Sequence, residues 1–165
     1  MRVKPIGIIH SPFREAPGTP INVRDAKGVR GTVRVYKRYA VGLKDLEGFD
    51  RIWLIFWFHR ARRPRLIVTP YMDTVRRGVF ATRAPARPNP IGITCVRLLK
   101  VRDNILHVSD LDILDLDGSP LLDIKPYQPS DRFMRVRFGW MDKAPLRRAA
   151  ADGRFAMRRR KEESG

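Results

Sequence analysis

The stretch "RIWLIFWFH", residues 51–59, decides the fold. Between Arg51 and His59 it is apolar and aromatic throughout. A run this short and this apolar reads as a central strand buried on both faces, although periodicity alone leaves a short buried helix open. Strand signals surround it. "VKPIGIIHS" opens the chain, "GTVRVYKR" sets Val33 and Val35 against Arg34 and Tyr36, and "RLIVTP", "GVFAT" and "ITCVRLLKV" follow the apolar run. In "NILHVSDLDIL", Leu106 and Val108 hold one phase while Leu111 and Ile113 hold the other, so a bulge is expected at Ser109-Asp110. "PLLDIKPY" and "FMRVRFGW" complete the β portion, and "GLKDLEGFD" reads as a helical turn closed by Gly48. The fold class expected is mainly β, a single barrel or sandwich with short helices.

At 165 residues the chain suits one domain with a substantial core. The expected division is a β domain over 1–142 and a basic tail, rich in Ala and Arg, over 143–165, with Gly153 separating two short helical pieces. Lys and Arg number 34 against 17 Asp and Glu, a formal net charge of +17. That excess suggests a polyanionic partner, nucleic acid first and an acidic membrane surface second. A single cysteine, Cys95, excludes an intramolecular disulfide and fits a reducing cytoplasm. No signal peptide or membrane span is legible.

Several chemistries are excluded by spacing. His10, His59 and His107 follow no metal-ligand pattern, and no metal is expected. The piece "DLDG" suggests a calcium loop, but with Gly118 at the turn the first and last ligand positions fall on Ile113 and Ile124. Asp117, Gly118, Ser119 and Pro120 instead form a tight turn. Neither G-x-G-x-x-G after a strand nor G-x-x-x-x-G-K-[ST] occurs, which argues against Rossmann and P-loop nucleotide sites. Cys95 sits in an apolar strand pattern without a His partner, so covalent catalysis lacks support.

Two stretches stand out. "HRARRPR", residues 59–65, concentrates arginines that bind phosphate through bidentate contacts or else keep a loop solvated; Arg62, Arg63 and Arg65 are the candidate RNA contacts, with Arg87 and Lys125. "GVFATRAPARPNPIGIT", residues 78–94, places Arg83 and Arg87 among prolines that force extended backbone on their neighbours. Such a segment serves equally as a rigid pocket wall and as a sheet corner.

"GVFATRAPARPNPIG" followed by "DGSPLLDIKPY" resembles the paired signature of the TsaA-like, or TrmO-type, family. "IGIIHSPF" and "GLKDLEGFDRIWLIFWFH" are similar as well, so the likeness runs in order through most of the chain. The resemblance implies a β-barrel-like methyltransferase unrelated to the Rossmann type and working as a homodimer. It implies S-adenosyl-L-methionine as cofactor and methyl transfer to N6 of threonylcarbamoyladenosine at position 37 of a tRNA. By motif, the cofactor positions fall on Pro20, Ile21 and Asn22, on Phe58, His59 and Arg60, on Arg83 and Ile93, and on Ser109, Asp110, Leu111 and Asp112. Arg83 is then a partner for the methionyl carboxylate, and Asp112 for ribose hydroxyls or the amino group. Asn89, Asp123 and Tyr127 are candidates for the catalytic acceptor. For Asp123 and Lys125 an internal ion pair is the alternative.

Three departures accompany the resemblance: Asn22 for the usual glutamine, two extra residues in "DILDLDGSP" with Ser119 for threonine, and a short basic tail where longer bacterial members carry a C-terminal domain. They keep two other functions open. One is a cofactor- or RNA-binding regulator without catalysis; the other is a methyltransferase for another RNA or a small molecule.

Overall fold

The computed structural model describes residues 2–15, 17–21, 25–61, 63–112, 117–144 and 150–155. Six strands carry the architecture: β1 (Gly7–His10), β2 (Gly31–Val35), β3 (Arg51–Trp57), β6 (Ile91–Arg102), β7 (Ile105–Ser109) and β8 (Ser119–Pro126). They pair antiparallel in the order β1-β2-β7-β6-β3-β8, and β8 returns to β1 to close a barrel. Two short strands, β4 (Ile67–Val68) and β5 (Arg77–Gly78), form a separate hairpin outside it. The other regular pieces among the described residues are 3₁₀ turns.

Alternation along each strand builds the interior. Ile52, Leu54 and Phe56 of β3 point inward and meet Val96 of β6, Leu106 of β7 and Leu121 of β8, all fully buried. Phe56 and Phe58 pack edge to face, ring centroids 5.0 Å apart. Gly92 of β6 lies opposite Phe56; a Cβ there would run into the Phe56 ring, so only glycine fits beneath it.

The structure corrects five readings. β3 is buried on one face, not both: Arg51, Trp53, Ile55 and Trp57 point outward and are partly exposed. "GVFAT" is a 3₁₀ turn, Val79–Ala81, rather than a strand. "FMRVRFGW" forms no strand; Phe133, Met134 and Phe138 are exposed, and Gly139–Lys143 is a 3₁₀ turn. The barrel is closed before this segment begins, so the main sheet offers it no edge to join. "RLIVTP" contributes only the two residues of β4. At Ser109-Asp110 the strand ends: β7 stops at Ser109 and Asp110 takes φ 64°. The register shifts instead lie between Leu98 and Lys100 of β6 and between Ile55 and Phe56 of β3. The second half of the slip, at Ile113, lies outside the described residues, as do Asn22 and Arg62.

The described part of the C-terminal region packs against the main body. Ala150 bridges Pro20, Ala151 N–H donates to the Thr19 carbonyl at 2.8 Å, and Gly18 N–H donates to the Ala151 carbonyl at 2.9 Å.

Candidate functional site

The Pro-rich loop after the Val79–Ala81 turn is a clamped wall. Arg87 turns its guanidinium back into the loop, and Nη1 donates to the carbonyls of Thr82 at 2.8 Å and Val79 at 3.0 Å, with Ala84 O at 3.5 Å. Its cationic carbon also lies 5.8 Å from the Phe80 ring centroid. Pro85, Pro88 and Pro90 fix φ along the same stretch. The loop is tied to its surroundings by Arg65 N–H to the Ala86 carbonyl (3.0 Å) and Phe58 N–H to the Pro90 carbonyl (2.7 Å).

This wall borders a cleft-like cavity of about 510 Å³, within the range of small-molecule ligand sites. Loop residues 80–85 form one side; Ile21 and Asp112 form another, and Tyr71, Trp140 and Phe155 supply aromatic surface. Trp140 is fixed by its indole N–H, which donates to the Ala81 carbonyl at 2.8 Å. Tyr71 meets Phe155 edge to face at 5.1 Å. Burial, with the Asp152 carboxylate adding and Arg154 opposing, pushes the Tyr71 phenol up to about 12, so it stays a neutral donor at ordinary pH. Charge enters at two points: Arg83, exposed, and Asp112, only 4% exposed. A smaller space of about 120 Å³, lined by Phe58, Arg83, Arg87 and Ile93, adjoins it through the shared Arg83.

The hairpin of β4 and β5 props the loop from behind. Asp73, 2% exposed, accepts the N–H groups of Thr74 (2.8 Å) and Val75 (3.1 Å) and a two-point contact from Arg77. The Val75 hydrogen bond, working against burial and joined by Arg77, holds its carboxyl below the usual range. Arg77 in turn lies 5.5 Å from the Trp140 ring centroid.

The chain matches the model of the tRNA-methyltransferase O N-terminal domain over residues 8–131. It belongs to that family. It is 55% identical over 155 residues to a protein of Pyrococcus abyssi named as a probable S-adenosyl-L-methionine-binding protein, covering 92% of this chain and 83% of that one. It is 38% identical to the tRNA (adenine(37)-N6)-methyltransferase of Escherichia coli, over 75% of this chain and 56% of the relative. A crystal structure of TrmO from Pseudomonas aeruginosa superposes with a TM-score of 0.72 at 38% identity, over 88% of this chain and 63% of that chain. The chain therefore spans less than two thirds of the solved structure and of the Escherichia coli protein.

Within this family fold, the residues expected at the cofactor fall in separate places. Ile21, Arg83 and Asp112 meet at the large cavity; Phe58 and Ile93 line the small one. Pro20 holds the bridge to Ala150, beside Ile21. Leu111 turns its side chain into the barrel core. Asp110 is engaged elsewhere: it accepts Gly28 N–H at 2.9 Å and pairs with Arg51 at 2.8 Å. Burial raises its carboxyl, but the Gly28 and Arg51 contacts outweigh this and lower it below the usual range. Ser109 is a barrel position paired with Arg97. His59 Nδ1 lies 3.5 Å from Ser119 Oγ, and Arg60 Nη1 donates to the Arg14 carbonyl.

The three acceptor candidates do not line the large cavity. Asn89 is exposed, its carbonyl accepting Ile91 N–H at 2.7 Å. Asp123 pairs with Lys125 at 2.9 Å, the internal pair noted as the alternative, and Tyr127 stands 6.1 Å from Trp53. Of the expected RNA contacts, Arg63 and Arg65 are exposed, Lys125 is ion-paired, and Arg87 is committed to the loop. Tyr71, Asp73, Trp140 and Phe155 were not anticipated. Only Asp73 had a local signal, an Asp followed by two residues whose N–H groups it can accept.

Proposed function

We propose that this protein is an S-adenosyl-L-methionine-dependent methyltransferase acting on N6 of threonylcarbamoyladenosine at position 37 of a tRNA. The observation that carries the reading is the large cavity, where three family-motif residues, Ile21, Arg83 and Asp112, converge on an aromatic-walled space. Its chemistry fits a zwitterionic nucleoside. Aromatic and apolar walls suit an adenine ring, Arg83 suits a carboxylate, and the buried Asp112 suits ribose hydroxyls or an ammonium.

When bound, the cofactor supplies an electrophilic methyl group on a sulfonium. The chain's own part is to orient and to keep water out. The Arg87-clamped loop holds Arg83 in place, and Trp140 and Phe155 cover the apolar side. N6 of that nucleoside, its lone pair conjugated into the ring and into the carbamoyl carbonyl, must lose its proton as the N–C bond forms. Asn89, Asp123 and Tyr127 remain the proposed acceptors, the Asp123 carboxylate as the base that takes the proton and Asn89 and Tyr127 as hydrogen-bond acceptors that orient the N–H.

A homodimer belongs to this proposal. On the barrel exterior Trp53, Ile55 and Trp57 of β3 pair with Cys95, Ile93 and Ile91 of β6, an apolar stripe on which Trp57, Ile91 and Ile93 are 36%, 40% and 43% exposed. Asp123 adjoins this stripe opposite Ile55. A second copy covering the stripe would draw Ile93 and Asp123 into one enclosed region. Incubation of the purified protein with isotopically labelled cofactor and tRNA, followed by nucleoside mass analysis, tests the activity. Label in N6-methylated threonylcarbamoyladenosine supports it, and label confined to another nucleoside or a small molecule contradicts the assigned substrate.

A further inference from the structure

Beside the cavity at Arg83 and Asp112 lies a second and somewhat larger groove, of about 630 Å³, along the β4–β5 hairpin. Arg65, Arg76 and Arg154 line it, with residues 66–69 as its floor. The three arginines are not equivalent. Arg154 is consumed structurally: it pairs with Asp152 at 2.8 Å, donates to the Pro70 carbonyl and lies over the Tyr71 ring. Arg65 and Arg76 are exposed, and among the described residues no carboxylate pairs with either. Two unneutralised guanidinium groups facing one groove repel each other, and an anion placed between them removes that repulsion.

Phe155 connects the groove to the cavity, since it lines both. Its neighbour Arg154 pins the segment to Pro70, so one short piece of the C-terminal region forms the partition between the two spaces. Phe80, 75% exposed, belongs to the lining of the cavity. An RNA strand bound along the groove would thus lie against the cavity proposed for the cofactor, with Phe155 as the shared wall.

We infer that the groove holds backbone phosphates of the RNA substrate through Arg65 and Arg76, alongside the cavity assigned to the cofactor. This rests on the methyltransferase reading above. The test compares binding of labelled tRNA to wild-type protein and to the Arg65→Gln/Arg76→Gln variant across a salt series, with cofactor affinity measured in parallel. Loss of two phosphate contacts lowers the slope of log K against log salt by about 1.4 to 1.8, roughly a 25- to 60-fold loss at 0.1 M salt. Cofactor affinity stays unchanged, because neither arginine lines the cavity. An unaltered slope overturns the inference. So does an equal effect from Arg34→Gln/Arg102→Gln, two exposed barrel arginines outside the groove lining, which would mark the attraction as diffuse. Weaker binding to phosphatidylglycerol vesicles with tRNA binding intact would assign the groove to a membrane surface and overturn it too. Wild-type protein that binds tRNA but no cofactor would defeat the methyltransferase reading and leave the groove assignment standing.

Discussion

Arg87→Ala separates a loop clamp from an RNA contact. In the folded chain the Arg87 guanidinium makes two well-formed hydrogen bonds to loop carbonyls, at 2.8 and 3.0 Å, and a weaker approach at 3.5 Å. Charged donors contribute about 1.5–3 kcal/mol when buried, and carbonyls re-solvated after truncation recover part of that. The Phe80 contact adds about 0.5 kcal/mol at an exposed site. A net loss of about 2 kcal/mol is expected, concentrated in the loop rather than in the barrel. If the loop must be ordered for Arg83 to meet the cofactor, the apparent dissociation constant rises in proportion to the ordered fraction lost, at most about 30-fold. Global unfolding would move less, by no more than about 8 °C in Tm. Calorimetric titration with S-adenosyl-L-methionine and differential scanning calorimetry read the two effects separately, and Arg87→Lys, with one donor group, should fall between. Wild-type cofactor affinity in Arg87→Ala, together with a tRNA salt slope reduced by about 1, would refute the clamp.

Two other perturbations have definite signs. Gly92→Ala drives a methyl into the buried Phe56 ring and should cost about 1–3 kcal/mol, whereas in a Phe56→Leu background the added cost should drop below about 1 kcal/mol; thermal denaturation of the four proteins measures the coupling. Asp110→Asn keeps the positive φ tolerable but removes the Arg51 ion pair. Because the Asp110 carboxyl is lowered in the folded state, its contribution is present above the ordinary value of 3.8 and is lost as pH falls through the folded value. The stability gap between wild type and variant, read by urea denaturation, should therefore be largest near neutral pH and close in the acid range below 3.8.

The barrel was legible where alternation reports one dry face. Val33 and Val35, and Leu106 and Val108, pack inward as their spacing implied. Residues 51–57 misled because hydrophobicity does not say what covers a surface: Ile52, Leu54 and Phe56 fill the barrel, while Trp53, Ile55 and Trp57 remain on its exterior. "GVFAT" reads as a strand until Arg87, eight residues beyond Val79, collects the carbonyls that a ladder would use. "FMRVRFGW" alternates correctly but follows a sheet with no free edge. At the site, motif likeness pointed to Ile21, Arg83 and Asp112, which do converge. Tyr71, Trp140 and Phe155 were invisible because their roles depend on contacts far along the chain, such as Trp140 with Ala81.

The central claim is that the cavity at Arg83 and Asp112 holds S-adenosyl-L-methionine. Titration of wild-type protein and Arg83→Ala with the cofactor, alongside circular dichroism of both, tests it most directly. The account predicts saturable binding to wild type and at least a tenfold loss in the folded variant, about 1.4 kcal/mol, the least expected when a carboxylate loses its guanidinium partner. Equal affinity in the two folded proteins would contradict it, since the cofactor would then sit elsewhere; no binding to wild type would remove the cofactor altogether.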